Sequence, residues 1–203
     1  MKRQWIQFFY MLSNLIYDKA ECVTSLYTKA KLFKKRLDVT LKKCRVISNG
    51  IHYDRFSAIP LKEEDGWIDI GAVVRIAPIK DIKTMLYVFY ELSRNYPNTR
   101  LHILGAVDDE TYNRECHQLI RRLGIKNVIF TGQVNVVEYM ENLDFTILTS
   151  ISEAQPLSVI ESMAARRPCV TTDVAVAENC WREIKMIISV LLVIVFRQLI
   201  EQV

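Results

Sequence analysis

Two basic side chains stand five positions apart, directly after a short stretch of β-branched and small apolar residues. Arg75 and Lys80 are the first and last residues of the segment RIAPIK. Two cations in a loop that joins a strand to a helix are placed to bind the phosphates of a diphosphate. The same two residues would also be ordinary as solvated surface charges. Their spacing therefore indicates an anion site only if other residues of the chain point to one as well.

A second polar segment, TSISEAQPLSVIESMAA, carries two carboxylates eight positions apart, Glu153 and Glu161. Between them, Pro156 suits the first position of a helix, because its φ is fixed and it has no N–H group to leave unpaired. The N–H groups of Leu157 and Ser158 then point out of the helix N-terminus, where an anion is favoured. A carboxylate in this position can accept hydrogen bonds from the two vicinal hydroxyls of a ribose. Considered alone, each of the two acids would also be ordinary as a solvent-exposed surface residue.

From Gly71 onward the chain alternates short β-branched stretches with longer segments of helical periodicity. The predicted strands lie at residues 72–76, 101–104, 128–130, 145–148 and 169–170 with the threonines that follow. The predicted helices lie at residues 81–95, 109–123, 136–142 and 157–165. This alternation predicts an α/β doubly wound domain, a parallel sheet with helices on both faces. Ligands of such domains bind at the carboxyl ends of the strands.

Together these motifs resemble those of a known family. The chain has R-x4-K from Arg75, E-x7-E from Glu153 with Pro156 inside it, and a segment SNGIHYDRF similar to that family's interdomain junction. It resembles the donor-binding half of retaining, family-4-type glycosyltransferases, whose GT-B fold has two Rossmann-like domains. VVRIAPIKDIKTM, LHILGAVDDE and FTILTSISEAQPLSVIESMAARRPCVTTDV are especially similar to the cytosolic glycosyltransferases of Pel-type exopolysaccharide synthesis. The resemblance covers residues 17–174.

The resemblance assigns the two cations to the leaving group. Arg75 and Lys80 would stabilise the donor diphosphate and the departing nucleoside diphosphate, which is the work of a metal ion in other enzymes. No metal and no further cofactor is therefore expected. The donor would be a nucleotide sugar, and for the Pel-type members a uridine diphosphate (UDP) hexose. The hexosyl group would pass, with retention, to a growing polysaccharide acceptor, and a membrane-bound exopolysaccharide export complex would be a further partner.

The resemblance assigns the remaining site residues to the donor. Glu153 would face the donor sugar and its phosphate, as a catalytic residue alongside the two cations. Glu161 would hold the hydroxyls of the ribose. The other donor-binding residues would border the phosphate or the nucleotide: Gly105 at a strand end, the turn at residues 130–132, Pro156, Leu157 and Ser158.

Three positions depart from the family's pattern, because glycine is replaced at Ala154, Arg166 and Ala175. Glycine serves where the backbone approaches a ligand closely or adopts a positive φ. The two alanines are therefore expected to weaken donor binding. Arg166 is expected to lose a helix-stop signal, although its charge suits a helix C-terminus.

The predicted domain organisation has three parts. Residues 1–44 are interpreted as a helical remnant of the acceptor domain, two helices with no sheet of their own. Residues 45–70 form the interdomain junction and linker, and residues 71–203 form the donor-binding domain. Within the last part, the apolar segment at residues 186–196 is 11 residues long, shorter than the ~20 needed for a helix to span a bilayer.

Charge and cysteine content exclude several other classes. Residues 1–50 carry a net charge of +8 and the remainder −4, which together give +4. The basic residues follow a helical pattern without interleaved aromatic residues, so a solvated helix face is favoured over a nucleic-acid site. Five cysteines without a C-x-x-C pair give no support for a metal site or a disulfide framework. A cytoplasmic protein, peripheral at the inner face of the membrane if it serves an export complex, is expected.

Two alternatives stay open at this point. The three histidines, His52, His102 and His117, are expected to be structural or solvated, so none replaces the catalytic histidine of an acceptor domain. The chain alone is therefore expected to transfer poorly, and a non-catalytic nucleotide-binding fragment, or a split half that needs a separate acceptor-domain chain, is the main alternative. A receiver-like signalling domain would require Asp81 or Asp144 to join an acidic pocket.

Overall fold

The computed structural model describes residues 8, 11–12, 16, 19–26 and 43–172 of the 203-residue chain. The chain divides into two compact units, Met1–Gly50 and Ile51–Val203. The apolar segment at residues 186–196 and the substituted position Ala175 lie outside the described residues.

In the first unit, two short strands pair in parallel. β1 (Val23–Ser25) lies beside β2 (Cys44–Val46), and Val23 is opposite Cys44. The prediction that residues 1–44 have no sheet of their own is therefore wrong. Val23 and Thr24 are β-branched and favour a strand, but a three-residue strand is too short to show its alternation in the sequence. The two helices predicted in this range lie largely outside the described residues.

The second unit begins with helix α1 (Tyr53–Ser57) and then alternates strands with helices. The strands are β3 (Ile68–Val73), β4 (Thr99–Leu104), β5 (Val128–Gly132), β6 (Phe145–Leu148) and β7 (Cys169–Thr171). The helices are α2 (Ile82–Asn95), α3 (Glu110–Leu123), α4 (Val136–Tyr139) and α5 (Leu157–Ala164), with 3-10 turns at Pro78–Lys80 and Met140–Asn142.

In the described part of this unit, these five strands form one parallel sheet in the order β5-β4-β3-β6-β7. The predicted α/β fold with a parallel sheet is confirmed. From β3 the chain proceeds outward through β4 to β5, and β6 then returns to the other side of β3. The strand order therefore reverses between β3 and β6, and the crevice at such a switch point is where ligands bind in open α/β sheets.

Apolar residues cover the sheet in two clusters. In the larger one, α2 buries Ile82, Met85, Leu86 and Phe89 against strand residues that include Ile103. These helix residues follow the three- and four-residue spacing from which the helix was predicted. Burial of each such side chain stabilises the fold by about 1.5–3 kcal/mol. The second cluster joins α1, the 3-10 turn after α4 and the end of α5: Phe56, Ile59, Met140, Leu143, Ala164 and Ala165.

The segment before β3 packs onto the rest of this unit. Phe56 and Ile59 are buried in the second cluster. β3 begins at Ile68, four residues earlier than predicted. The prediction missed this start because the charged Asp69 interrupts the apolar pattern of the strand. The assignment of the three parts of the chain to an acceptor remnant, a junction and a donor domain stays a prediction.

Asp69 is a buried carboxylate near the amino end of the sheet, 2% exposed. It accepts hydrogen bonds from Arg100 (Nε at 2.5 Å), His102 (Nε2 at 2.7 Å) and Lys62 (Nζ at 2.7 Å). Burial by itself would raise the pKa of Asp69, but these hydrogen bonds outweigh burial and hold the pKa well below its usual range. His102 also meets the hydroxyl of Tyr139 through Nδ1 at 2.8 Å. The network joins the segment before β3 to the sheet.

Candidate functional site

The loops that follow β3 and β6 bring a predicted cation and a predicted carboxylate together. Lys80 ends the 3-10 turn after β3, and its Nζ donates to Oε1 of Glu153 in the loop after β6. Both side chains are largely buried, at 18% and 14% exposed. Glu153 accepts a further hydrogen bond from Ser150 Oγ at 2.7 Å. This ion pair lies at the switch point of the sheet.

Hydrogen bonds from Thr149 connect the same two loops. Its Oγ1 lies 3.1 Å from the carbonyl oxygen of Lys80 and 3.0 Å from that of Asp81. The N–H of Ile151 also donates to the carbonyl of Ile79, at 2.9 Å. Sequence reasoning did not single out Thr149 or Ser150, although their position directly after an apolar strand was the signal that could have found them.

Arg75 lies on the other side of β3, toward β4. Its Nη1 donates to Oδ2 of Asp108 at 2.7 Å, and the two side chains are 64% and 49% exposed. The N–H groups of Asp108 and Asp109 both donate to the carbonyl of Ile76, which holds this loop against the one that carries Arg75. An exposed pair of this kind contributes about 0–1 kcal/mol, so Arg75 can leave Asp108 for an anion at little cost.

Gly105 follows β4 and lies against the backbone of Val74, directly after β3. Its φ is +154°, and a Cβ added there would lie 2.1 Å from the carbonyl oxygen of Val74. Its N–H donates to the carbonyl of Gly132 at 2.9 Å. Only glycine fits this position. The role of Gly105 and of the turn at residues 130–132 in bordering a nucleotide stays a prediction.

Helix α5 begins at Leu157, the start of the predicted range 157–165. Pro156 is the N-cap, with an extended ψ of 113°, and Leu157 is the first helical residue. The prediction of Pro156 as that first residue is therefore wrong by one position, because its ψ is not helical. The carbonyl of Pro156 accepts from Val159 N–H at 3.3 Å, whereas the N–H groups of Leu157 and Ser158 have no acceptor within the helix, as at any helix N-terminus.

Glu161 lies inside α5 and is half-buried. Burial raises the pKa of its carboxyl group above the usual value. Within residues 43–172, no hydrogen-bond or ion-pair partner is found for its side chain. A desolvated carboxylate without a partner is disfavoured by itself, and hydroxyl donors of a ligand would relieve that cost.

The glycine replacements differ in their effect on the backbone. Arg166 has a φ of +59°, the left-handed conformation in which glycine is preferred. The helix nevertheless stops there, since Arg167 N–H donates to Ser162 O at 2.9 Å and Arg166 N–H to Met163 O at 3.0 Å, the Schellman pattern. The expected loss of the stop signal is therefore wrong. Ala154 is exposed and is not one of the described residues with a positive φ, so its effect on donor binding stays a prediction.

Two of the histidines and the two acids Asp81 and Asp144 have structural roles. His102 belongs to the Asp69 network, and the ring of His117 packs on Phe130 with 4.4 Å between centroids. Asp81 caps α2 after β3, whereas Asp144 precedes β6 at the opposite end of the sheet. The acidic pocket of a receiver domain is therefore not formed by these two residues.

The described residues contain neither a group of metal ligands nor a membrane-spanning helix. Among these residues there is no group of three or more His, Cys, Asp and Glu side chains that could hold a metal ion. In the same part of the chain, no helix has the length and apolar character needed to cross a bilayer.

The fold is of the doubly wound α/β class, and charged loops lie at the switch point of its sheet, where proteins of this class bind their ligands. Residues 55–183, more than half of the chain, match the family model of the glycosyl transferases group 1. The chain therefore belongs to this family.

Curated relatives agree with this assignment. The chain is 29% identical over 142 residues to an alpha-monoglucosyldiacylglycerol synthase of Streptococcus pneumoniae, covering 62% of this chain and 32% of that protein. It is 22% identical over 178 residues to an uncharacterized glycosyltransferase of Methanocaldococcus jannaschii, covering 82% of this chain and 41% of that protein. The chain thus spans about a third to two fifths of the length of these relatives.

Solved structures share the fold. The Anabaena protein HepE in complex with UDP-glucose superimposes with a TM-score of 0.71 at 18% identity, over 86% of this chain and 51% of that one. Sucrose-phosphate synthase from Thermosynechococcus elongatus superimposes with a TM-score of 0.69 at 20% identity, over 85% of this chain and 45% of that one. The chain corresponds to about half of each of these proteins and has the fold of that half.

Proposed function

We propose that this chain is the donor-binding part of a retaining glycosyltransferase that transfers a hexosyl group from a UDP-sugar to a growing exopolysaccharide without a metal ion. The observation that carries the proposal is the pair of Lys80 and Glu153 at the switch point of the sheet. It joins the two loops in which R-x4-K and E-x7-E lie. The UDP and UDP-glucose bound to the structural neighbour HepE support a UDP-sugar as the donor.

Each site residue has a chemical task in this proposal. As the bond from the sugar to the diphosphate breaks, negative charge grows on the departing phosphate. Lys80 and Arg75 stabilise that charge, which a metal ion would otherwise have to do. The carboxylate of Glu161 accepts hydrogen bonds from the two ribose hydroxyls, and Glu153 acts at the donor sugar and its phosphate.

The remaining donor contacts come from the backbone. The N–H groups of Leu157 and Ser158, after Pro156, bind the donor phosphate at the N-terminus of α5. Gly105 leaves the ends of β3 and β4 close together and borders the nucleotide. These contacts need no charge from a side chain, so they add to those of the two cations.

An exopolysaccharide acceptor, an export complex at the membrane and a cytoplasmic position at its inner face rest on the similarity to Pel-type glycosyltransferases. Two curated relatives are named as synthases of a glucosyl lipid, so a lipid acceptor is the competing possibility. Transfer assays with an oligosaccharide and with diacylglycerol as acceptors separate the two.

Titration calorimetry of the purified chain with UDP and with UDP-glucose tests the donor site. We expect a dissociation constant between micromolar and sub-millimolar, about 4–8 kcal/mol of binding free energy, that does not change when Mg²⁺ is replaced by EDTA. Glu161→Ala should weaken UDP binding by at least tenfold, since each charge-assisted hydrogen bond contributes about 1.5–3 kcal/mol. Glu64→Ala, at an exposed acid outside the site, is the matched control and should bind as the unaltered chain does.

The outcomes of this titration separate the alternatives. A folded sample that binds neither ligand contradicts the proposal. Binding that requires Mg²⁺ contradicts its metal-independent part alone. Binding of UDP-glucose without transfer to any acceptor favours a nucleotide-binding module, or a split half that needs a separate acceptor-domain chain.

A further inference from the structure

Thr149 connects the two loops of the candidate site through one hydroxyl group. Standing at the end of β6, it reaches across to the loop after β3, where Oγ1 lies 3.1 Å from the carbonyl oxygen of Lys80 and 3.0 Å from that of Asp81. Thr149 is only 6% exposed, so water has little access to replace this donor. Its single proton is shared between the two carbonyls, of which that of Asp81 also accepts from the N–H of Met85 at 3.3 Å.

The loop that Thr149 holds contains an unfavourable turn. Asp81 has φ 44° and ψ 52°, the left-handed conformation that residues with a Cβ avoid. This turn carries the chain from the 3-10 turn at Pro78–Lys80 into α2, and the side chain of Asp81 accepts from Thr84 Oγ1 at 2.7 Å. A left-handed residue of this kind persists only where neighbouring groups hold it. Thr149 is one of those groups and Thr84 is another.

The direction of the Lys80 side chain depends on that turn. Lys80 is the last residue of the 3-10 turn and directly precedes Asp81. Its Nζ meets Glu153, which is held from its own side by Ser150 Oγ at 2.7 Å. Adjacent residues at the end of β6 therefore hold both members of the ion pair: Thr149 the backbone of Lys80, and Ser150 the carboxylate of Glu153.

We propose that Thr149 is a positioning residue of the donor site, whose hydroxyl keeps the ammonium group of Lys80 where the donor diphosphate binds. The inference rests on the proposed function. Thr149 acts through Lys80 and has no task of its own at the diphosphate. Its effect on diphosphate binding must therefore disappear when Lys80 is removed.

The test is a double-mutant cycle on UDP affinity, with the full chain. Thr149→Val keeps the size and β-branching of the side chain and removes the hydroxyl. We expect it to weaken UDP binding about tenfold, the scale of one lost hydrogen bond. In a Lys80→Ala background the same change should alter the affinity less than about twofold. Thr149→Ser, which keeps the hydroxyl, should restore most of the affinity.

Each outcome decides the question. Equal losses from Thr149→Val with and without Lys80 would mean that Thr149 supports the fold in general, and would overturn the inference. So would an unchanged affinity in Thr149→Val. If Thr149→Val does not fold, Thr149→Ala is compared with Thr149→Ser in both backgrounds. Equal UDP affinities of these two variants in the background that keeps Lys80 would overturn the inference. Failure of the unaltered chain to bind UDP would refute the proposed function itself, which is a separate result.

Discussion

The ion pair between Lys80 and Glu153 should limit how tightly the site binds a diphosphate. A donor diphosphate must compete with Glu153 for the ammonium group of Lys80, and it must also approach a negative charge. Glu153→Gln removes that charge and keeps the size of the side chain. We therefore expect the variant to bind UDP more tightly than the unaltered chain does.

The size of this effect follows from the burial of the pair. An exposed ion pair contributes about 0–1 kcal/mol, and breaking a fully buried one costs about 3–5 kcal/mol. Lys80 and Glu153 are 18% and 14% exposed and lie between these limits, nearer the buried one. Part of the free energy needed to break the pair is offset when the donor diphosphate binds Lys80. The variant needs no such break, so we expect it to bind UDP about 1–2 kcal/mol more strongly, which is about 5- to 30-fold in affinity.

Titration calorimetry with UDP measures this gain, and thermal unfolding verifies that the variant is folded. Asp108→Asn is the matched control, because it makes the same chemical change in the exposed pair with Arg75. It should change the affinity by less than about fivefold. Equal or weaker UDP binding by Glu153→Gln would refute the reasoning, since it would mean that Glu153 does not compete with the diphosphate.

Four further predictions concern other parts of the structure. Asp69→Asn should lower the free energy of unfolding in urea by about 1.5–3 kcal/mol, because Lys62 and Arg100 lose their buried carboxylate and keep only the more exposed Asp65 and, for Lys62, Asp144. The lowered pKa of Asp69 means that its stabilisation is present above about pH 4 and is lost as the pH falls further, so the variant should also lose part of the acid dependence seen in the unaltered chain. Arg166→Gly should be about 1 kcal/mol more stable than Arg166→Ala in thermal unfolding, because only glycine relieves the φ of +59°; equal stabilities would contradict this. Glu161→Gln should raise stability at neutral pH, because burial raises the pKa of Glu161 and so disfavours its ionised form, while weakening UDP binding about tenfold; lower stability would count against the burial argument. Gly105→Ala should cost at least about 2 kcal/mol and more than Gly132→Ala, whose added Cβ meets no atom within 4 Å; similar losses in urea unfolding would show that the close approach at Gly105 is not limiting.

Local signals were sufficient for most elements of the second unit. The predicted starts of α2 and α3, Asp81 and Asp109, prove to be their N-caps, one residue before each helix. Acids at these positions are visible in the sequence because a carboxylate accepts hydrogen bonds from the first-turn N–H groups. The start of β3 was not predicted, since a charged residue such as Asp69 is typical of a loop. Only the structure shows that Arg100 and Lys62, from neighbouring elements, neutralise it inside the strand.

The sequence by itself determined the alternation of strands and helices and placed R-x4-K and E-x7-E after strands. Those features depend on the periodicity and chemistry of neighbouring residues, which are local. The tertiary structure alone decided that Glu153 meets Lys80 while Arg75 meets Asp108, and that Thr149 holds the loop between them. These contacts follow from the order of strands in the sheet, with β6 inserted beside β3. That order is set by which faces pack together across long separations in the chain, and no local pattern encodes it.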